Sequence, residues 1–355
     1  MKSYGYAAQS KTTAPAPWHF ERREPKPDDV VVQIDYCGIC HSDIHQVRGE
    51  WGAEIFPMVP GHEITGHVIA VGSDVTRFKV GDRAAVGVIV ESCLHCENCK
   101  ASLENYCSDG GPRDTYNAKL RDGSPTYGGY SDVIVTPEHF VHTLQPHVDM
   151  AATAPLLCAG ITTYSPLRHW LFERTKKDVK EMKVGVVGLG GLGHLGLKFS
   201  KAFGAHTVQF TTSESKVEDA KKLGADEVII TRDPAQMAKH AGSFDFILDC
   251  VSAPHDMNAY LSLIKLDGTL CLVGIPEQPL SVHPFSLLAN RRSLAGSGIG
   301  GMKETQEMLD FCAEKGIGAE IEMTSYDKLS EAYERVVKGD VKYRFVLDNT
   351  ALRHG

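Results

Sequence analysis

No run of this 355-residue sequence approaches the roughly 20 apolar residues that span a bilayer, so nothing in it reads as a membrane helix. The first twenty residues, MKSYGYAAQSKTTAPAPWHF, lack the apolar core of a secretory signal, and the expected compartment is the cytoplasm. Basic excess is missing too: 37 Lys and Arg face 45 Asp and Glu, and a net charge of −8 argues against a nucleic-acid backbone as partner. There are no internal repeats and no low-complexity tract. Disulfides are not expected under reducing conditions, so the ten cysteines read as metal ligands or buried apolar residues. Six of the ten precede residue 108, in tight groups, which favours ligands there.

What is present is an ordinary globular composition, 42% hydrophobic and 23% charged, in a chain too long for one core. Two domains are expected. Residues 1–152 look β-rich, with β-branched runs VVVQIDYC (30–37), EITGHVIAVG (63–72) and DRAAVGVIV (82–90), and little helical period. APLLCAGITTYSPLR (154–168) reads as one helix. From 182 strand and helix alternate. MKVGVVGLGG leads into LGHLGLKFSKAFG, with Gly204 as C-terminal cap, and SESKVEDAKKLG is a helix with Ser213 as N-cap. EVII, FDFILDCV and GTLCLVG are further strands. Repeated βαβ units imply an α/β fold, a doubly wound parallel sheet with helices on both faces, over 153–291. Residues 292–355 hold a strand-like SLAGSGIGG, helices at 303–315 and 327–338, and a last strand YRFVLDN.

Gly188, Gly190 and Gly193 form G-x-G-x-x-G. The pattern is weak alone, but here it follows an apolar strand and opens a helix, the context of a dinucleotide site. Gly188, Leu189, Gly190, Gly191, Leu192 and Gly193 are then the phosphate loop, against the bland alternative of a tight turn with no ligand. An NAD site places an acid at the end of the second strand. Here that slot falls on Thr211, which carries no charge. Thr212, Ser213 and Lys216 offer hydroxyls and a cation to a 2′-phosphate, so NADP is favoured, although Glu214 lies in the same loop.

Cys93, Cys96, Cys99 and Cys107 are spaced C-x2-C-x2-C-x7-C. Four thiolates on a short polar loop suit a closed tetrahedral structural zinc; an iron–sulfur cluster is the weaker alternative. A second group is scattered: Cys37, Cys40, His41, His45, His62, Glu63 and Cys158. A Cys2His set with one open position is a catalytic zinc arrangement. Spacing does not choose Cys40 over Cys37, and on its own Cys158 would pass for a core cysteine.

The order CGICHSDIH (37–45), PGHE (60–63), the four-cysteine lobe, LCAGIT and GLGGLG resembles the zinc-dependent medium-chain dehydrogenases. TYNAKLRDGSPTYGGYSD, ETQEMLDFCAEKGI and DVKYRFVLDN bring it closest to the cinnamyl alcohol dehydrogenase-like group of NADP-dependent alcohol dehydrogenases and aldehyde reductases. The likeness covers nearly the whole chain. It implies a GroES-like catalytic domain, 1–152 with 292–355 returning to it, and a Rossmann domain, 153–291. It implies two Zn2+ per chain, the catalytic one held by Cys40, His62 and Cys158 with Glu63 as alternate ligand, at the interdomain cleft. Asp43 would orient the ligand His62, Ser42 would bond the substrate hydroxyl and the cofactor, and His45 would pass the proton to solvent. Cys37 has no metal role, and His41 lies near the pyrophosphate. Thr162, Gly274 and Ser297–Gly298–Ile299 would contact the nicotinamide. Trp51 either lines and narrows the substrate pocket or packs in the core. A homodimer through the nucleotide-domain sheet is implied as well. The expected reaction is hydride transfer between NADP(H) and a primary alcohol or aldehyde, mainly broad aldehyde reduction. The rivals are an NAD-dependent alcohol or polyol dehydrogenase, a zinc-free quinone reductase relative, and a non-catalytic zinc-binding protein.

Overall fold

A computed structural model describes residues 1–276 and 278–354. The chain divides into two units, Met1–Ile161 with Gly300–Gly355, and Thr162–Ile299. The first is built on a seven-stranded sheet of β1 (Asp29–Ile39), β2 (Ile64–Val71), β3 (Arg83–Val86), β4 (Val133–Pro137), β5 (Val141–Thr143), β12 (Ile321–Thr324) and β13 (Arg344–Asp348). The order is β12-β13-β1-β2-β3-β5, with β4 also paired to β1. Its core is apolar from several strands at once: Val30, Val32, Ile34 and Ile39 of β1 meet Ile64, Val86, Ile134 and Phe345, all buried. Each such side chain contributes roughly 1.5–3 kcal/mol when removed from water.

In the second unit six strands run parallel: β6 (Lys183–Val187), β7 (His206–Thr211), β8 (Glu227–Ile230), β9 (Phe244–Asp249), β10 (Ile264–Leu272) and β11 (Ser293–Gly296). The order β8-β7-β6-β9-β10-β11 reverses between β6 and β9, the switch point where doubly wound sheets bind ligands. The helix Gly193–Phe203 buries Leu195, Leu197 and Phe199, and ends at Gly204 in the left-handed conformation (φ 95°).

Several local expectations are corrected. The unit boundaries lie at 161/162 and 299/300, not 152/153 and 291/292. Residues 154–157 pack on β1, β2, β3 and β13 and so stay with the first unit. At the other end β11 pairs with β10 and keeps 293–296 in the parallel sheet. APLLCAGITTYSPLR is not one helix: a 3-10 turn Ala154–Leu157 stops at Cys158 (φ −127°) before the helix Ala159–Arg168. DRAAVGVIV is two strands, β3 and Ile89–Glu91. SESKVEDAKKLG opens with a 3-10 turn, and Ser213 makes no capping bond because its hydroxyl pairs with that of Ser215 at 2.7 Å. The β-rich half also contains a helix, His41–Val47, too short to show a period.

Candidate active site and cofactor site

β1 and β2 pair antiparallel, Cys37 opposite Ile64. That register brings the end of β1, which leads into Cys40, beside the start of β2, which follows His62 and Glu63. The Gly38 N–H donates to the Glu63 carbonyl at 2.9 Å. Cys40 is the N-cap of the helix His41–Val47. One carboxylate ties these two ligand loops together. Asp43, fully buried, accepts from Cys40 N–H at 2.8 Å and from Gly61 N–H at 3.0 Å, and its Oδ1 lies 3.3 Å from His62 Nδ1.

The interrupted helix supplies the third candidate ligand: Cys158 Sγ lies 3.9 Å from Cys40 Sγ. Cys40, His62, Glu63 and Cys158 are all buried, and their candidate donor atoms lie within 4.8 Å of one another. With Nδ1 turned to Asp43, His62 Nε2 is buried without a hydrogen-bond partner, as is each Glu63 carboxylate oxygen. Burial without a partner is costly, and a cation placed among these atoms would satisfy them. The residues therefore fit zinc. Cys37 points elsewhere, toward Gly61 and Gly129, and burial pushes its thiol well up.

The sequence reading missed Arg344. It is buried on β13 with Nη2 3.1 Å from Glu63 Oε1. The contact is ionic and lacks hydrogen-bond alignment. Burial pushes the Glu63 carboxyl up to about 8, against the pull of Arg344. A lone arginine within YRFVLDN was the available signal, since a buried charge needs a counter-charge.

Gly38 explains the second letter of CGIC. A Cβ there would lie 1.9 Å from Glu63 Oε2. Gly38→Ala should displace that carboxylate and destabilise the protein by about 1–3 kcal/mol, the usual cost of overpacking. A lowered melting temperature with reduced zinc content would establish this; an unchanged melting curve would refute it.

Ser42 is half-buried, its hydroxyl 3.5 Å from Cys40 Sγ. His45 stacks between His41 (centroids 4.5 Å apart) and Trp51 (5.1 Å), and its Nδ1 contacts the Glu50 carboxylate. Trp51 is 43% exposed, which removes the core-packing alternative.

In the four-cysteine lobe the candidate ligand atoms of Cys93, Cys96, Cys99 and Cys107 also lie within 4.8 Å of one another. Cys93 Sγ accepts from Cys96 N–H at 3.2 Å, and Cys96 Sγ from Cys99 N–H at 3.5 Å. Such donors favour thiolates; the Cys99 N–H is the main reason that Cys96 falls to about 5. The lobe is fastened by buried Glu104, whose Oε1 meets His139 Nε2 at 2.8 Å and whose Oε2 accepts from Met302 N–H at 3.0 Å, at the start of the helix Met302–Lys315.

In the other unit, Gly188 takes φ 86°, and a Cβ at Gly193 would sit 1.9 Å from the Gly188 carbonyl oxygen. These two positions need glycine for the turn and for helix–strand packing. Nothing lies within 4 Å of a Cβ built on Gly190, so backbone there is open to a ligand. Thr211 ends β7 and is buried; its Oγ1 accepts from Ser213 N–H at 3.2 Å. Lys216 is no solvated helix residue, since Nζ donates to the Leu189 carbonyl of the glycine loop at 3.0 Å. Thr212 and Glu214 are exposed. Thr162 is buried, Gly274 packs on Val251, and Ser297 N–H donates to the Leu272 carbonyl at 3.1 Å, with Gly298 and Ile299 following (Ile299 φ 43°).

Residues 26–146 match the alcohol dehydrogenase GroES-like domain family, and residues 191–314 the zinc-binding dehydrogenase family. Aldehyde reductase YahK of Escherichia coli is 54% identical over 99% of both chains. The chain belongs to the zinc-dependent medium-chain dehydrogenases, in their cinnamyl alcohol dehydrogenase-like group. An NADP-dependent alcohol dehydrogenase C of Mycolicibacterium smegmatis is 53% identical to this dehydrogenase over 98% of both chains. Cinnamyl alcohol dehydrogenase from Sorghum bicolor superposes with a TM-score of 0.95 at 39% identity, over 100% of this chain and 99% of that one. The Helicobacter pylori enzyme complexed with NADP(H) gives 0.90 at 39% identity, over 98% of both chains.

Proposed function

We propose that this dehydrogenase transfers hydride reversibly between NADP(H) and primary alcohols or aldehydes, and works mainly as a broad-range aldehyde reductase. The observation that carries the reading is the buried Cys40–His62–Glu63–Cys158 cluster with its unpartnered His62 Nε2. Relatives named aldehyde reductase, 8-hydroxygeraniol dehydrogenase and cinnamyl alcohol dehydrogenase, at 50–54% identity, support a broad range.

When bound, zinc supplies Lewis-acid polarisation of the substrate oxygen and NADPH the hydride. Cys40, His62 and Cys158 would hold the metal, with Glu63 as alternate ligand. Asp43 fixes the His62 ring so that Nε2 faces the site. The Ser42 hydroxyl lies beside Cys40 and gives the proton to the aldehyde oxygen. His45, hydrogen-bonded to Glu50 on a half-exposed surface, resupplies it. Thr211, Thr212, Ser213 and Lys216 would donate to the 2′-phosphate, and Thr162, Gly274 and Ser297–Ile299 would hold the nicotinamide. Trp51 narrows the substrate entrance.

The test is a panel of aliphatic and aromatic aldehydes and alcohols with NADPH and NADH, alongside zinc quantification, for wild type and Trp51→Ala. The reading expects two zinc ions per chain and NADPH-dependent reduction, with kcat/KM for cinnamaldehyde rising in the variant. NADH preference would return the polyol dehydrogenase, and one zinc without turnover the non-catalytic protein. Unchanged selectivity in Trp51→Ala would sink the pocket role.

The enzyme is further read as a cytoplasmic homodimer joined at the β11 edge. Close to that strand in sequence, Leu266, Ile275, Phe285 and Leu288 are each 59–71% exposed, apolar side chains that a partner would cover. Sedimentation velocity showing only monomer at micromolar concentration would overturn this.

A further inference from the structure

At the switch point of the parallel sheet, the turn after β9 is tied by two side chains that no step of the proposed reaction uses. Asp249 is fully buried at the end of β9. Its Oδ1 accepts from Val251 N–H at 3.1 Å, and its Oδ2 lies 2.7 Å from His255 Nε2. The other ring nitrogen, His255 Nδ1, lies 2.8 Å from the Ala253 carbonyl oxygen. A carboxylate and a carbonyl only accept. A neutral imidazole has one N–H and satisfies one of them; the imidazolium has two and satisfies both.

The turn held this way carries Val251. A Cβ on Gly188, first glycine of the phosphate loop, would meet Val251 Cγ2 at 2.8 Å. A Cβ on Gly274 would lie 2.4 Å from the Val251 carbonyl oxygen. Val251 is thus wedged between the loop for the pyrophosphate and the strand end assigned to the nicotinamide.

We propose that His255, as an imidazolium clamped between Asp249 and Ala253, is a positioning residue that sets the Val251 turn against the glycine loop and makes NADP(H) affinity depend on its proton. This rests on the reading that the crevice holds NADP(H). Loss of the proton frees one of the two ring bonds, leaves Asp249 as a buried carboxylate with a neutral partner, and lets the Val251 wedge move. The hydrogen bond to Asp249 raises the His255 pKa, burial opposes it, and Asp256 adds to the rise. Among the described residues, the remaining titratable neighbours are the Tyr260 ring, 5.6 Å from His255, and Cys250 and Cys271 near Asp249; burial pushes Tyr260 and Cys271 up to about 12 and Cys250 well up, so all three stay neutral in the working range. The sign follows by linkage. Affinity is full below the ligand-free pKa of His255, and it declines as pH rises through the higher pKa of the bound form.

NADPH fluorescence titration of the full-length, zinc-loaded enzyme from pH 6 to 9 reads the effect. In wild type the Kd should rise with pH, by about tenfold for each unit that binding adds to the pKa. His255→Gln should bind more weakly at low pH and lose the pH-dependent step, raising KM for NADPH while kcat changes little. His255→Arg, with a permanent charge and N–H donors enough for both acceptors, should restore tight binding at every pH. The ring signals of His255 in wild type give a second readout by NMR: NADP+ should raise its pKa. An unmoved pKa, or a His255→Gln profile that overlays wild type, would overturn the proposal. Failure of wild type to bind NADPH at all would instead overturn the assigned function.

Discussion

Cys40→Ser is expected to leave one zinc per chain in place of two and to lower kcat/KM by more than about 100-fold, while Cys37→Ser keeps both ions and near wild-type turnover. The two residues are three apart in one motif, yet the fold separates them. Cys40 lies among His62, Glu63 and Cys158, and Cys37 faces Gly61 and Gly129 across the sheet. Loss of groups that merely support a ligand already costs 10–100-fold, so loss of a ligand sets the larger expectation. The structural lobe is untouched in either variant and serves as an internal count of one. Zinc measured by mass spectrometry beside a cinnamaldehyde assay settles it; equal behaviour of the two variants would refute the division.

The second large effect concerns cofactor choice. Thr211→Asp should lower kcat/KM with NADPH by about 10–150-fold, the worth of roughly 1.5–3 kcal/mol for interactions with a charged group, and raise activity with NADH. Thr211 ends β7 with its Oγ1 bonded to Ser213 N–H, at the base of the Thr212–Lys216 segment. A carboxylate there opposes a 2′-phosphate by charge and offers the ribose hydroxyls an acceptor. Lys216 should stay in place, since its ammonium is held by the Leu189 carbonyl. A variant that keeps its NADPH preference would show that the 2′-phosphate is read elsewhere.

The two candidate ligand groups were legible to different degrees, for a physical reason. Cys93 to Cys107 lie on one loop, so spacing alone announced a closed site. Cys40, His62 and Cys158 converge only because β1 pairs with β2 in one register and a 3-10 turn breaks at Cys158. Neither event has a local signature, and resemblance had to choose Cys40 over Cys37. Arg344 was harder still, because its partner Glu63 lies far off in sequence, just before β2. The glycine loop was readable because strand, turn and helix are contiguous. The parallel sheet was expected to end at 291 because the resemblance returned the later residues to the first domain, yet 293–296 pair with β10. His255 was silent because its meaning lies in two acceptors that only the folded turn presents.

The tie from the four-cysteine lobe through Glu104 to Met302 predicts a specific response to oxidants. Cys93 and Cys96 are partly accessible, whereas Cys40 and Cys158 are buried. Accessible thiolates oxidise first, to sulfenic acid or a disulfide. That chemistry would spill the lobe's metal, slacken the segment carrying Glu104 and leave the amide of Met302 without its acceptor. Peroxide damage should therefore surface as faster amide exchange at the beginning of the Met302–Lys315 helix while the reaction centre is still chemically intact. Shelf life would then be governed by a loop that never meets the substrate.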